Sequence, residues 1–72
     1  MSDIAANIYE YRLKCGYTQK ELANMLGVSV QTISKWERDA SAPDISVLPK
    51  IAEVFRISID ALFGMDAKTD AI

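Results

Sequence analysis

Within a short stretch, Ser29 to Lys35, the 72-residue sequence sets two hydroxyls, a planar amide, an ammonium group and a small branched hydrocarbon close together, on Ser29, Val30, Gln31, Thr32 and Lys35. These groups donate and accept hydrogen bonds and carry charge, yet none is a nucleophile paired with a base. Their chemistry is therefore recognition rather than bond-making. An amide such as that of Gln31 can pair with a planar edge offering one donor and one acceptor, and an ammonium such as that of Lys35 can donate to neighbouring acceptors. Metal and redox chemistry are poorly supplied. The chain has no histidine and one cysteine, so no internal disulfide exists, and a zinc site would need an all-carboxylate or backbone arrangement. No catalytic residue, metal ligand or cofactor is assigned.

The elements that must hold those residues are written around them, from Thr18 to Arg38. Thr18-x-x-Glu21 is a capping box, in which the threonine oxygen accepts from the amide three residues on and the glutamate returns the bond. Leu22, Ala23 and Leu26 follow at helical spacing, and Gly27 supplies the left-handed residue that stops a helix. Ser29 is the next N-cap, and Ile33 with Trp36 gives the second helix an inward face. Two short helices joined by a tight glycine-containing turn are the pattern of a helix-turn-helix.

The flanks supply the support. Ile4, Ile8, Tyr11 and Cys15 fall on one face of a helix predicted over Asp3–Cys15, with Asp3 suited to its start and Gly16 to its stop. This places Cys15 toward the core as a small apolar residue, since a redox role would need exposure and a lowered pKa. Tyr9 and Leu13 fall on the opposite face, either as ordinary exposed side chains or as part of a contact surface. The next helices are predicted at Gln19–Leu26 and Val30–Asp39. Pro43 ends any helical path from the third, and a fourth helix reaches Phe55 from a frayed or 3₁₀-like start capped by Asp44 or Ser46, with Pro49 in its first turn. Arg56 and Ile57 link it to a fifth, Ile59–Phe63, capped by Ser58 and stopped by Gly64. The expected fold is all-α, one compact five-helix domain over residues 1–64, with a short tail at 65–72.

Composition bounds the partners. Half of the residues are apolar, enough for a core, and no run of about 18 apolar residues or basic-then-apolar leader is present, so the chain reads as cytoplasmic with no membrane partner. Eight basic and ten acidic residues give a net charge of −2. Residues 1–38 carry five basic and four acidic side chains, and residues 39–72 carry three and six. Any positive surface must lie in the first half, and local geometry decides what it can reach.

Taken together, TQKELANMLGVS, QTISKWER, the loop with Pro43 and LPKIAEVFRISIDALFG resemble the Cro/C1-type (XRE-family) helix-turn-helix DNA-binding domain. The resemblance spans residues 4–64, and SKWER with PDIS-x-LPKIAE is especially similar to small transcriptional regulators of Gram-positive bacteria and their phages. It implies the five-helix, lambda-repressor-like fold, binding of double-stranded operator DNA as a homodimer, and insertion of the third helix into the major groove. Val30, Gln31 and Lys35 match the family's usual base-reading positions, with Ser29 and Thr32 beside them. Gln31 suits adenine, Lys35 suits guanine O6 and N7, and Val30 suits a thymine methyl. Outside this motif, Gln31 would read as an ordinary solvated helix residue.

Thr18, Gln19, Trp36 and Arg38 are expected at phosphates, Gln19 because free amides and the dipole at the helix start favour an anion. Lys20 reads equally as a further contact or a solvated charge, and Trp36 also as a hydrophobic lid over the following loop and fourth helix. The family's matching positions form an ion pair, which here would join Arg12 to Glu37; otherwise the two are independent surface charges. One departure is visible. Where the family commonly has a glycine and then basic residues after the third helix, this chain reads Arg38-Asp39-Ala40-Ser41-Ala42, which removes candidate phosphate contacts.

These features favour a sequence-specific DNA-binding transcriptional regulator, a repressor, over a protein-interaction module of the same fold such as an antitoxin or anti-repressor with a protein partner. Acidity and the loop after Arg38 speak for the second class, and an enzyme is the least supported. Ile59, Phe63, Met65 and Ile72 offer an apolar surface for modest self-association.

Overall fold

A computed structural model describes residues 3–64. Five α-helices follow one another: α1 at Asp3–Cys15, α2 at Gln19–Leu26, α3 at Val30–Glu37, α4 at Leu48–Phe55 and α5 at Ile59–Leu62, with a 3₁₀ turn at Ile45–Val47 before α4. No strand occurs among the described residues. No helix there is long and apolar enough to cross a membrane. The expectations for Met65, Ile72 and the 65–72 tail lie outside the described residues.

Three helix starts are set by side chains acting within one turn. Thr18 Oγ1 accepts from the Glu21 amide at 3.0 Å while Glu21 Oε1 accepts from the Thr18 amide at 2.8 Å, which completes the capping box. Ser29 and Ser58 accept from the amides of Thr32 and Ala61, each at 3.1 Å. Asp44 heads the 3₁₀ turn, accepting from the Ser46 hydroxyl at 2.6 Å and the Ser46 amide at 3.0 Å. Those two bonds, the hydroxyl's foremost, hold the Asp44 carboxyl below its ordinary pKa. A lowered folded-state pKa means that this turn's support is present above the usual carboxylate range and is lost as pH falls through the folded value. Pro49 sits in the first turn of α4, where its missing N–H costs nothing.

Four helix ends share one device. At Gly16, Gly27, Asp39 and Arg56 the backbone turns left-handed, with φ of 78°, 73°, 62° and 61°. The next residue's amide then reaches back to a carbonyl of the last turn: Tyr17 to Arg12, Val28 to Ala23, Ala40 to Lys35 and Ile57 to Ala52, at 2.8–3.1 Å. Tyr17, Val28 and Ile57 also lay their side chains against the core. Gly27 adopts this conformation without a Cβ penalty, and Asp39 tolerates it. Arg56 does not do so readily, and its left-handed cap is absent from the sequence expectation of a simple link. Because the turn takes over at Arg38, α3 stops at Glu37, two residues short of the predicted end.

The core takes one fully buried aliphatic from each helix: Ile8, Leu22, Ile33, Ile51 and Leu62. Around them lie Ala23, Trp36, Leu48, Ala52 and Phe55. Helix α2 packs on α3, and α1 and α4 close over the pair, with α5 against both α1 and α4. The Tyr11 ring stacks on Phe55 at 5.9 Å between centroids, and Asn7 Nδ2 donates to the Leu62 carbonyl at 2.9 Å, so α1 is held at both α4 and α5. Cys15, expected to face the core, is instead exposed. It is the last residue of α1, and the chain turns away at Gly16 before that face meets a neighbour. Tyr9 and Leu13 are exposed, at 44% and 51%.

Ile51→Ala should lower unfolding free energy by about 2–5 kcal/mol in a urea titration, because it removes a central side chain that no neighbour can replace. Arg56→Gly should leave the protein as stable or up to about 1 kcal/mol more stable in the same measurement, since glycine relieves the left-handed strain.

Candidate nucleic-acid interface

Helix α3 has a sharply divided surface. Ile33 and Trp36 are 0% and 5% exposed and lock the helix into the core, while Val30, Gln31 and Lys35 on the other side are exposed. The division follows from the 3.6-residue period: positions 33 and 36 cannot face inward without turning 31 and 35 outward. Val30, 38% exposed, adds an apolar side chain at the start of the same helix. These three side chains form the outward part of the expected reading surface.

Ser29 and Thr32 are less independent. Ser29 Oγ is occupied as the α3 cap and lies 2.9 Å from Thr32 Oγ1, so the two hydroxyls share a hydrogen bond. One hydroxyl proton is used between them and one remains to be offered outward. Thr32 is half-buried.

The expected phosphate residues are distributed over two helices. Thr18 is exposed, its oxygen taken by the capping box but its proton still available. Arg38, at the end of α3, is exposed, and its Nε donates to Ser34 Oγ at 3.2 Å, which restrains the guanidinium along the helix side. Trp36 is a core residue, so any phosphate contact is confined to the edge of its ring; packing is what the structure shows. Lys20 and Lys35 are exposed cations. Gln19 is half-buried and its Nε2 donates to Glu37 Oε1 at 3.0 Å.

That carboxylate belongs to a buried network joining α1, α2 and α3. Arg12 Nε and Nη2 donate to Glu37 Oε2 and Oε1 at 2.6 and 3.1 Å, a bidentate pair whose residues are each 8% exposed. Arg12 Nη1 donates to the Tyr17 carbonyl at 3.0 Å, and the guanidinium lies 5.5 Å from the centre of the Tyr9 ring. Among the described residues, no fully buried side-chain nitrogen or oxygen lacks a partner. The pair is therefore compensated on every side, as a buried ion pair must be to avoid a large desolvation penalty.

Two of these links have no counterpart in the sequence expectations. The Ser34–Arg38 bond has a local signal, the i, i+4 spacing. The Gln19–Glu37 bond has none, because it joins positions 18 apart that meet only when α2 packs on α3. Neither a pocket nor a cluster of potential metal ligands occurs among the described residues.

Comparisons with known proteins agree with this geometry. A family model described as "Helix-turn-helix" matches residues 8–62. The chain is 38% identical over 63 residues to the HTH-type transcriptional regulator ImmR of Bacillus subtilis (strain 168), covering 88% of this chain and 50% of that protein. It thus spans half the length of that relative. The structure is similar to the P22 c2 repressor protein in complex with a synthetic operator, with a TM-score of 0.79 and 32% identity over 88% of this chain and 96% of the other. It is also similar to SinR, the master regulator for biofilm formation, in complex with DNA, with a TM-score of 0.75 and 35% identity over 82% and 95%.

Removing one member of the buried pair strands the other charge. Arg12→Ala should cost about 3–5 kcal/mol of stability in denaturant unfolding, against roughly 0–1 kcal/mol for a solvent-exposed pair. A loss in the lower range would mean that water screens the site.

Proposed function

The chain belongs to this helix-turn-helix family, and from that premise we propose that it is a sequence-specific, double-stranded-DNA-binding transcriptional regulator that acts as a repressor. The observation that carries the reading is the division of α3: Ile33 and Trp36 are anchored in the core, and Val30, Gln31 and Lys35 are turned outward on the same eight-residue helix. A helix held from behind with polar groups in front can enter the major groove, where each base pair shows a distinct donor–acceptor pattern. Gln31 reads adenine through its amide, Lys35 donates to guanine, and Val30 meets a thymine methyl. The one hydroxyl proton that the Ser29–Thr32 bond leaves free adds a single further donor.

Thr18, Gln19 and Arg38 hold the sugar–phosphate backbone, with the Trp36 ring edge beside them. Relatives named as transcriptional regulators, and neighbours solved with operator or with DNA, support the DNA-binding reading. The protein binds as a homodimer, so its operator is a near-palindrome with half-sites about 10 base pairs apart, or a multiple of that. Ile59 and Phe63, 40% and 39% exposed on and just after α5, contribute to the self-contact.

A second reading, a protein-interaction module of the antitoxin or anti-repressor kind, is favoured by one observation. The net charge is −2, and the loop after Arg38 carries Asp39 and Asp44 and no basic residue. In vitro selection from random duplexes, followed by titration at several salt concentrations, separates the two. DNA recognition predicts an enriched site and a log–log salt slope of a few units. Absence of both would leave the interaction module.

On the selected site, Gln31→Ala should relax preference at one base position by about 1–3 kcal/mol, measured as the affinity ratio between matched and mismatched duplexes. Arg38→Ala should weaken all duplexes alike and reduce the salt slope by about one.

A further inference from the structure

Glu37 does more in this network than neutralise Arg12. Its carboxylate accepts three hydrogen bonds: two come from the Arg12 fork, and the third, at 3.0 Å, comes from Gln19 Nε2. The bidentate pair is already complete without Gln19. What the third bond does is fix a half-buried amide at the first position of α2. A glutamine amide is planar and Nε2 carries two protons. With one proton on Glu37, the directions of the second N–H and of Oε1 are set by the amide plane, and the residue's partial exposure leaves those groups a way to the surface.

We propose that Glu37 is a positioning residue for Gln19, holding its amide ready to donate to the DNA backbone. This rests on the reading of the chain as a duplex-DNA binder. The torsional freedom of Gln19 is lost on folding rather than on binding, so the contact forms without that ordering cost. Arg12 makes the arrangement workable. A bare carboxylate beside a phosphate would repel it, whereas a carboxylate paired at 2.6 Å with a guanidinium offers an acceptor with its charge compensated. Arg12 and Glu37 thus act on DNA through Gln19, and together the three add no net charge to the contact.

The test is a double-mutant cycle on the full chain, using a synthetic duplex that carries the selected site. The four proteins are the wild type, Gln19→Ala, Arg12→Met/Glu37→Met and the combination of all three. The methionine pair replaces the ions by apolar groups of similar length, a change that often preserves a fold. Gln19→Ala should weaken binding roughly two- to tenfold, the worth of one hydrogen bond, and equally at low and high salt because the contact is neutral. The methionine pair should lose a similar factor, and adding Gln19→Ala to it should cost nothing more. If Gln19→Ala costs its full factor in both backgrounds, or if the methionine pair binds like the wild type, the proposal is overturned.

A wild type that binds its selected site while Gln19→Ala binds equally well overturns the proposal and leaves the DNA reading intact. A wild type that binds no duplex overturns the reading itself. Should the methionine pair not fold, ¹H–¹⁵N spectra of the unmodified protein decide. One Gln19 side-chain amide proton should lie downfield, and both should move on adding the duplex; random-coil shifts that the duplex does not perturb overturn the proposal.

Discussion

The Arg12–Glu37 pair is the constraint around which the domain is assembled. Two charges at 8% exposure each would cost several kcal/mol if left alone, so the protein must surround them with partners. It does so from three elements at once: α1 supplies the guanidinium, α3 the carboxylate, and the α1–α2 connection the Tyr17 carbonyl. Gln19 adds a fourth tie, from the start of α2. Every packing that satisfies this set places the end of α3 against the junction of α1 and α2. Such a pair adds little net stability over an apolar replacement, but a helix misplaced from it would leave a charge stranded, a penalty that disfavours other arrangements.

The helices themselves could not choose it. Helices α2, α3 and α4 have eight residues each, shorter than the roughly 12–15 needed for marginal stability alone in water. Their caps and left-handed ends decide where they start and stop, and the shared core of Ile8, Leu22, Ile33, Ile51 and Leu62 keeps them formed. The same core makes the outward side of α3 a rigid surface. With Ile33 and Trp36 fixed from behind, Val30, Gln31 and Lys35 are carried on a helix whose rotation about its axis is not free. A site on such an element is held more closely than one on a loop.

Electrostatics then limit how such a domain can bind a polyanion. The chain is net acidic, and Arg12 spends its charge on Glu37. Around the helix-turn-helix, the exposed cations are Lys20, Lys35 and Arg38. On the proposed DNA-binding reading, affinity rests on a few well-placed contacts, several of them neutral hydrogen bonds, and those depend on direction more than a charged contact does. The Ser29–Thr32, Ser34–Arg38 and Gln19–Glu37 bonds each restrain a polar side chain on or beside the outward face.

Much of this was legible in the residues because it is decided locally. The spans of α1 and α2, the Thr18–Glu21 box, the Ser29 and Ser58 caps and the 3₁₀ entry before Pro49 all depend on bonds within one turn of chain, which spacing and residue type specify. The 3.6-residue period likewise told which side of α3 faces out. Tertiary structure alone decided the rest. Cys15 is exposed because it is the last residue of α1 and the chain turns away at Gly16, and Arg56 takes a left-handed cap where the chain turns from α4 into α5, which packs back on α4. Gln19 meets Glu37 only because α2 packs on α3. A contact between distant positions leaves no periodic trace in the sequence, since either residue would be equally at home as a solvated surface group until packing brings the two within 3.0 Å.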